Sequence, residues 1–208
     1  MANPSIKAIL QGGSGLDGKY IPDFDSLEVV VKLLRDSGYS IVLTMGVYDM
    51  FHVGHKRYLE AASKLGDVLI VGVDSDELTR EMKGHIDPNR PFDTFETRIE
   101  MLAALSFIKI VTRRHNDRHI DDLIKTVSPD VLVISKTTST FTDEKVAEIG
   151  LFCKKIEHLD AQADPNVTST TAKLRRLKAE GGRELAERVT AAVKTVVVDF
   201  LGVDVDKQ

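Results

Sequence analysis

Two histidines, His52 and His55, lie in a short segment of the kind that binds phosphate, Gly46–His55 (GVYDMFHVGH). The segment follows an apolar run and precedes a helical pattern, so both imidazoles are expected at the start of a helix. There the helix dipole and the free backbone N–H groups favour anions, and Gly54 leaves room for close approach. In phosphoryl or nucleotidyl transfer, positioned donors stabilise the charge that develops on the α-phosphate and on the departing pyrophosphate. We therefore predict that both histidines are catalytic.

The histidine pair has two other interpretations. Two histidines three residues apart could form half of a metal site, but no third ligand is evident nearby and the i,i+4 metalloprotease spacing is absent. A single isolated histidine is usually an ordinary surface or core residue. The whole segment, placed at a strand–helix junction, favours phosphate binding.

A cluster of hydroxyl side chains near the end of the chain is a second candidate phosphate site. Its members are Thr168, Ser169, Thr170 and Thr171. Small hydroxyl residues most often cap a helix N-terminus, and that interpretation stays open here. Beside a triphosphate, the same hydroxyls and N–H groups would bind the β- and γ-phosphates. The histidine pair upstream favours this second interpretation.

Apolar runs alternate with helical patterns along the chain, and these elements must position the candidate residues. The predicted strands are Ser40–Met45, Val68–Val73, Ile108–Val111, Val131–Ile134 and Phe152–Leu159. The predicted helices cover Gly54–Leu65, the stretch from Phe95 to Leu105, Ile120–Val127 and the region near Asp143–Gly150. The alternation predicts a doubly wound α/β fold, a parallel sheet with helices on both faces. Ligands bind beyond the carboxyl ends of such strands, where the candidate residues lie.

Two segments lie outside the alternating pattern. Residues 1–38 are a predicted N-terminal extension, Gly- and Asp-rich at first and then amphipathic, and 39–180 are the predicted nucleotide-binding domain. Gly181 and Gly182 form a predicted helix stop. The predicted C-terminal helical extension, 181–208, has a stripe of apolar residues at helical spacing: Leu185, Val189, Val193, Val196 and Phe200. The stripe predicts packing on this subunit or on a partner.

Composition and charge argue against several classes of protein. The 208 residues are 42% hydrophobic and 29% charged, and 28 Lys and Arg against 32 Asp and Glu leave a net charge of −4. A mildly acidic chain without a long basic run is not expected to bind nucleic acid. The single cysteine, Cys153, excludes an internal disulfide. No signal pattern opens the chain and no apolar stretch approaches the ~20 residues of a membrane span, so a cytoplasmic protein without a membrane partner is expected.

The segment Gly46–His55 resembles the first signature of the cytidylyltransferase-like nucleotidyltransferases, G-x-F-D-x-x-H-x-G-H, with Tyr48 in place of the usual phenylalanine. The resemblance covers about residues 40–177 and includes the later stretches KG…P and ETRIEMLAAL. Within the superfamily, the chain is most similar to the domain that adenylylates heptose 1-phosphate and to glycerol-3-phosphate cytidylyltransferase. The resemblance implies a Rossmann-like sheet of about five parallel strands. It also implies a homodimer and Mg²⁺ that accompanies the triphosphate without a side-chain ligand.

The resemblance implies roles for further residues. Five positions of the first signature are expected at the nucleotide: Gly46, Val47, Tyr48, Asp49 and Gly54. Arg98, in the E-x-R position, is expected at the nucleotide or its phosphates, and Asp76 matches the acidic position that meets the acceptor. Lys83 is expected as a catalytic residue on a loop that closes over the phosphates, or as a solvated charge. Asp49 is expected chiefly to shape its turn by side-chain hydrogen bonds, with a magnesium-linked role second.

Two departures from the family pattern bear on the substrates. Cytidylyltransferases of the glycerol-phosphate type carry R-T-x-G before the hydroxyl cluster, whereas this chain reads ADPNV at Ala163–Val167. The missing arginine and glycine favour ATP over CTP as the donor. The heptose enzymes carry K-G-G-D-Y after the fourth strand, whereas this chain reads SKTTST at Ser135–Thr140, which argues against a heptose.

Positive charge follows two of the predicted strands, where an acceptor would approach. Arg113, Arg114 and Arg118 follow the third strand, and Lys136 follows the fourth. Cations there would bind an acceptor phosphate and offset its repulsion from the triphosphate, although a solvated loop is the other interpretation. We expect Arg113, Arg114 and Lys136 to bind the acceptor.

These observations predict a nucleotidyltransferase. It would move a nucleoside monophosphate from a nucleoside triphosphate, ATP slightly favoured, to a phosphorylated small molecule such as a sugar phosphate, and release pyrophosphate. A cytidylyltransferase that uses CTP and an alcohol phosphate such as glycerol 3-phosphate is the first alternative. A non-catalytic, nucleotide-binding regulatory protein with the same fold is the second, and the intact histidine pair argues against it.

Overall fold

The computed structural model of the chain contains two compact units, Met1–Asp164 and Pro165–Gln208. The first unit contains a sheet with flanking helices, and the second contains one long helix. The residues that the structure describes are 9–10, 15–85, 87–115, 119–136, 142–160 and 170–201.

The first unit is built on a five-stranded parallel sheet with the order β3-β2-β1-β4-β5. Its strands are β1 (Ile41–Gly46), β2 (Val68–Asp74), β3 (Ile110–Arg114), β4 (Val131–Ser135) and β5 (Lys155–Leu159). The order reverses between β1 and β4, and in doubly wound sheets ligands bind outside the carboxyl ends of the strands at this point. Gly46, where the signature segment begins, lies at that edge. The predicted Rossmann-like α/β fold is confirmed.

Helices flank the sheet in the first unit. They are α1 (Phe24–Asp36), α2 (Val53–Ser63), α3 (Asp76–Lys83), α4 (Phe95–Ala103), α5 (Ile120–Val127) and α6 (Asp143–Ile149), and the second unit contains α7 (Thr170–Leu201). Several begin where a polar side chain accepts an N–H of the first turn, which is the usual N-cap interaction. These caps are Asp23, Ser75, Thr94 and Thr142.

Alternate strand residues point to opposite faces of the sheet and build two apolar layers. On one face, Leu43 packs in a cluster with Leu27 of α1 and Leu123 of α5. On the other face, Val42 packs in a cluster with Leu59 of α2. The helix that carries the histidine pair is therefore fixed against the face opposite α1.

The N-terminal segment shares the core of the first unit. Tyr20 pairs with Val111 at the outer edge of the sheet. The buried Lys19 donates through Nζ to the carbonyl oxygens of Ala103 at 2.8 Å and Leu105 at 2.9 Å. The sequence predicts the amphipathic character of α1 but not its partner, because an apolar stripe does not identify the surface that covers it.

Two strands begin later than their apolar runs predict. Ile108 is fully buried, but its N–H donates to the carbonyl oxygen of Leu105, so it belongs to a turn before β3. Gly150–Phe152 is a short 3-10 helix, and β5 begins only at Lys155. Apolar character reports burial, whereas strand limits depend on pairing with a neighbour, and this explains both differences.

α7 passes through Gly181 and Gly182, where the sequence predicts a helix stop. That prediction is wrong, because a helix tolerates a glycine at a cost of about 1 kcal/mol and the flanking Lys, Ala, Glu and Arg residues favour helix. Leu185, Val189 and Val193 are each more than half exposed. What covers this stripe stays a prediction. Within the described ranges, no helix is both long enough and apolar enough to cross a membrane.

Gly72, in β2, leaves room for a side chain from α5. A Cβ at this position would lie 2.5 Å from Cδ2 of Leu123 and 3.1 Å from Cγ of Met45. We expect Gly72→Ala to lower the free energy of unfolding by about 1–3 kcal/mol in chemical denaturation, because a filled core must shift to admit the methyl group. The control Gly181→Ala, whose Cβ meets nothing within 4 Å, should be neutral or stabilising by up to about 1 kcal/mol. Equal stability of Gly72→Ala and the wild type would contradict this account of the packing.

Candidate active site

The residues between β1 and α2, 47–52, form a tight turn that we call the signature loop. Tyr48 has a φ of 57° and Met50 a φ of 48°, both in the left-handed region that residues with side chains seldom adopt. A Cβ on Gly46 would lie 3.3 Å from two ring atoms of Tyr48, so a larger residue would crowd that ring. Backbone in such conformations persists only where surrounding contacts hold it, and it is concentrated at functional sites.

His52 caps α2 with its own ring. Its Nδ1 accepts the backbone N–H of Gly54 at 3.1 Å and, more weakly, that of His55 at 3.4 Å. An accepting Nδ1 carries no proton, so in the neutral ring Nε2 is the donor. Both N–H groups face an imidazole nitrogen in this structure, and the binding of phosphate by them stays a prediction. The imidazole N–H is the donor that this arrangement offers.

The rings of His52 and His55 stack at the start of α2, where the sequence predicts the pair. Their centroids are 3.8 Å apart and their planes are 21° from parallel. The rings of Tyr48 and Phe51 each lie 5.6 Å from the ring of His55. Aromatic contacts from the signature loop therefore hold the pair in one place.

Two carboxylates fasten the signature loop to a later part of the chain. Asp49 is 1% exposed, and its Oδ1 accepts the N–H groups of Phe92 at 2.9 Å and Asp93 at 3.0 Å. Its Oδ2 lies 2.7 Å from Nε of Arg90. Asp93 in turn accepts the N–H of Met50 at 2.7 Å. Asp49 thus shapes the backbone through side-chain hydrogen bonds, as predicted, but it does so through a distant segment.

Arg98, in α4, has a fully buried side chain that joins the signature loop to β2 and α3. Its Nη1 donates to the carbonyl oxygen of Val47 at 2.6 Å, and its Nε donates to that of Asp93 at 3.2 Å. Its Nη2 donates to the carbonyl oxygen of Asp74 at 2.8 Å and to Oδ1 of Asp76 at 2.6 Å. These bonds occupy most of the five N–H donors of the guanidinium. The sequence predicts contacts to the nucleotide for Arg98 and to the acceptor for Asp76, whereas here the two residues bind each other and position the loop.

Hydroxyl groups tie α2 to the sheet below the signature loop. Oγ1 of Thr44 and Oη of Tyr58 lie 2.9 Å apart, and Tyr58 donates to the carbonyl oxygen of Val133 at 3.3 Å. Burial raises the pKa of Tyr58 to about 12, so it remains a protonated donor. Burial also raises the pKa of Tyr48 well above its ordinary value. The helix with the histidines is thereby anchored to β1 and β4.

Lys83 is the half-buried last residue of α3, whereas the sequence predicts it on a loop. The loop prediction is wrong because Ser75 accepts the N–H of Leu78 and starts a helix directly after β2. A Cβ on Gly84, just beyond, would collide with the carbonyl oxygen of Arg80. Lys83 therefore lies at the end of a regular element.

Arg113 and Arg114 point to opposite faces of the sheet, as successive strand residues do. The guanidinium of Arg113 lies 4.7 Å from the ring centroid of Phe95 and 3.4 Å from Oε2 of Glu77. Arg114 is buried, and its Nε lies 2.7 Å from Oδ1 of Asp74. The two arginines therefore cannot act as a single pair, although the sequence places them together.

The remaining predicted residues are distributed along the chain. Lys136 is exposed and pairs with Asp160 at 2.9 Å. Thr170 and Thr171 are the first two residues of α7, which agrees with a hydroxyl cluster at the start of a helix. The other residues and segments that bear on the predicted substrates lie outside the described part of the chain: Arg118, 137–140, 163–167, Thr168 and Ser169.

Arg90 and Asp93 are the functional residues that sequence reasoning misses. They stand in the stretch RPFD between α3 and α4, where charged residues are usually solvated. Their contacts with Asp49 and Met50 arise only when the chain folds back on the signature loop. The one available signal is that Asp93 directly precedes the N-cap residue Thr94, with Arg90 three residues before Asp93.

The family comparison covers most of the first unit. A family model described as Cytidylyltransferase-like matches residues 43–176. The bifunctional protein HldE of Campylobacter fetus is 37% identical over 156 residues, which are 74% of this chain and 31% of that protein. HldE of Sulfurimonas denitrificans is 41% identical over 114 residues, which are 55% of this chain and 23% of that protein. The chain therefore spans less than a third of the length of these relatives.

Two solved structures resemble this fold. The lipopolysaccharide core biosynthesis protein from Thermoplasma volcanium has a TM-score of 0.53 and 23% identity, and the match covers 61% of this chain and 100% of that one. Pantoate-beta-alanine ligase from Francisella tularensis, complexed with beta-gamma ATP and beta-alanine, has a TM-score of 0.52 and 12% identity, with 74% and 71% covered. At these identities the likeness concerns the fold alone. The family match, by contrast, spans the sheet, the signature loop and the histidine pair, and the chain belongs to the cytidylyltransferase-like family.

Proposed function

We propose that this chain transfers a nucleoside monophosphate from a nucleoside triphosphate to a phosphorylated small molecule. The observation that carries the proposal is the stacked pair of His52 and His55 at the start of α2, with Nε2 of His52 set as a donor by the helix cap. A phosphate oxygen of the acceptor attacks the α-phosphorus in line and forms a new P–O bond. The bond from the α-phosphorus to the bridging oxygen breaks, and pyrophosphate leaves.

The protein's part in this reaction is to hold donors where negative charge develops. The imidazoles would donate to oxygens of the α-phosphate and of the departing pyrophosphate, and donors that are already oriented need no rearrangement during the reaction. Asp49, Asp93 and Arg98 supply that orientation, because they fasten the signature loop to the stretch RPFD and to α4. No covalent intermediate on the protein is required.

We propose that Mg²⁺ enters with the triphosphate and is bound by its oxygens. The carboxylates around the signature loop are already engaged with arginines, in the pairs Asp49–Arg90, Asp74–Arg114 and Asp76–Arg98. Among the residues that the structure describes, no group of His, Cys, Asp and Glu side chains could hold a metal ion. An ion held by the nucleotide would neutralise phosphate charge.

The donor and acceptor classes are further proposals. ATP is favoured because the arginine and glycine of the cytidine-type signature are missing before the hydroxyl cluster. A sugar phosphate is favoured because the sequence resembles the domain that adenylylates heptose 1-phosphate. Binding of the β- and γ-phosphates by Thr168–Thr171, and a homodimer, are implied by the same resemblance.

Pyrophosphate release tests the proposed function. The whole chain would be assayed with Mg²⁺, with ATP or CTP, and with a panel of sugar 1-phosphates and glycerol 3-phosphate. We expect release with ATP and a sugar phosphate to exceed release with CTP. A clear preference for CTP with glycerol 3-phosphate would select the cytidylyltransferase alternative. Nucleotide binding without release for any pair would select the non-catalytic alternative.

A further inference from the structure

Arg114, the last residue of β3, is 6% exposed and has an unusual set of contacts. Its Nε pairs with Oδ1 of Asp74 at 2.7 Å. Its terminal nitrogens face sulfur instead of oxygen: Nη1 lies 3.9 Å from Sδ of Met45, and Nη2 lies 3.7 Å from Sδ of Met82. A thioether sulfur is only a weak acceptor, so one edge of this buried guanidinium has no oxygen partner among the described residues.

That edge is costly to bury without an acceptor. A guanidinium removed from water normally keeps its N–H groups on oxygen, as Arg98 does with carbonyl and carboxylate oxygens of the same part of the fold. Asp74 balances the charge of Arg114, and the ion pair joins its Oδ1 to Nε and leaves the two terminal nitrogens to the sulfur atoms. The Nη1–Nη2 edge is one that can form two parallel bonds with a phosphate group. Its chemistry therefore matches an incoming oxyanion.

The position of this edge links it to the candidate active site. Arg114 is in register with Asp74 at the carboxyl end of β2, and Met45 directly precedes Gly46 at the end of β1. The guanidinium thus lies at the carboxyl ends of three neighbouring strands, β1, β2 and β3, beside the start of the signature loop. Met82, in α3, is half-buried, and its unbranched side chain can turn aside to admit a ligand.

We infer that Arg114 binds a phosphate oxyanion of the acceptor, between Met45 and Met82. The inference rests on the proposed function and specifies where within that site the acceptor's phosphate lies. Arg113 and Lys136, which the sequence predicts as partners in this role, are engaged elsewhere by an aromatic ring and by carboxylates. Asp74 orients the guanidinium so that its opposite edge faces the ligand.

Methionine methyl signals report directly on this contact. The chain has five methionines, and two of them touch Arg114. Inorganic phosphate would be titrated into the whole chain labelled with [¹³C-methyl]methionine, with a non-hydrolysable ATP analogue and Mg²⁺ at saturation. We expect the Met45 and Met82 signals to shift together, while Met101, half exposed on α4, serves as the reference that stays in place.

Arg114→Lys is the informative variant, because lysine keeps a positive charge opposite Asp74 but lacks the paired N–H edge. We expect the phosphate Kd read from Met45 and Met82 to rise roughly tenfold or more. The matched control Arg113→Lys should stay within about twofold of the wild type. An unchanged Kd in Arg114→Lys would overturn the inference. So would a wild-type titration in which neither methyl signal moves, and that result does not depend on how the variant folds.

The same labelled protein separates this inference from the proposed function. Met50 lies in the signature loop, so its signal should shift when the ATP analogue is added. A Met50 methyl signal that does not shift when the ATP analogue is added would contradict the proposed function. Phosphate would then be titrated without nucleotide, and the Met45 and Met82 signals would test whether Arg114 binds it. A Met50 shift with nucleotide but no Met45 or Met82 shift with phosphate would leave the proposed function standing and remove the acceptor site.

Discussion

Replacing His52 by asparagine should lower turnover at least ~10²-fold, the scale seen when one positioned donor to a developing charge is removed. Asparagine is among the preferred N-cap residues, so its side-chain oxygen can accept the Gly54 N–H in place of Nδ1. It lacks the Nε2–H that we assign to the phosphate oxygens. Turnover would be measured by pyrophosphate release at saturating substrates. The free energy of unfolding should change by less than about 1 kcal/mol, because the cap is kept.

Three further variants complete this experiment. His52→Ala should show the same loss of turnover and, because the cap is gone, a loss of about 0.5–2 kcal/mol in stability. His55→Ala should lower turnover similarly, since its ring stacks on that of His52 at 3.8 Å. His158→Ala, exposed on β5, is the control and should change neither quantity. Near-normal turnover in both His52→Asn and His55→Ala would remove the histidines from the chemistry.

Arg98→Lys should lower the free energy of unfolding by about 3–5 kcal/mol, the range for breaking a buried ionic network from one side. Arg98 serves four acceptor oxygens from three separate nitrogens, whereas lysine carries its three N–H donors on a single nitrogen and cannot reach them all. Buried oxygens left without donors account for the cost. Denaturant unfolding followed by circular dichroism measures it.

The control for Arg98→Lys is Arg35→Lys. Arg35 also donates to two carbonyl oxygens, those of Val127 at 3.0 Å and Ser128 at 2.7 Å, but it is exposed on α1 and remote from the signature loop. The control should lose less than about 1 kcal/mol. If Arg98→Lys were no less stable than this control, the signature loop would not depend on the guanidinium, and its support would have to come from Asp49 and Asp93.

The sequence alone determined the elements whose signals are local. The apolar run before Gly46 and the helical spacing after it predict β1 and α2, with His52 and His55 at their junction, and both are observed. The helix Ile120–Val127 also matches its prediction at both ends. These segments can be predicted from the sequence because strand and helix periodicity, and helix capping, depend on residues only a few positions apart.

Only the tertiary structure decided what the charged residues near the signature loop do. Arg98, which the sequence predicts at the nucleotide or its phosphates, binds Val47 and Asp76 in this structure, and Asp49 reaches Arg90. Arg114 differs from its neighbour Arg113 because the pleat and the register with β2 send the two side chains to opposite faces. The physical reason is common to all of these residues: a charged side chain extends several ångströms from its backbone, and the partner it meets is set by how distant segments pack.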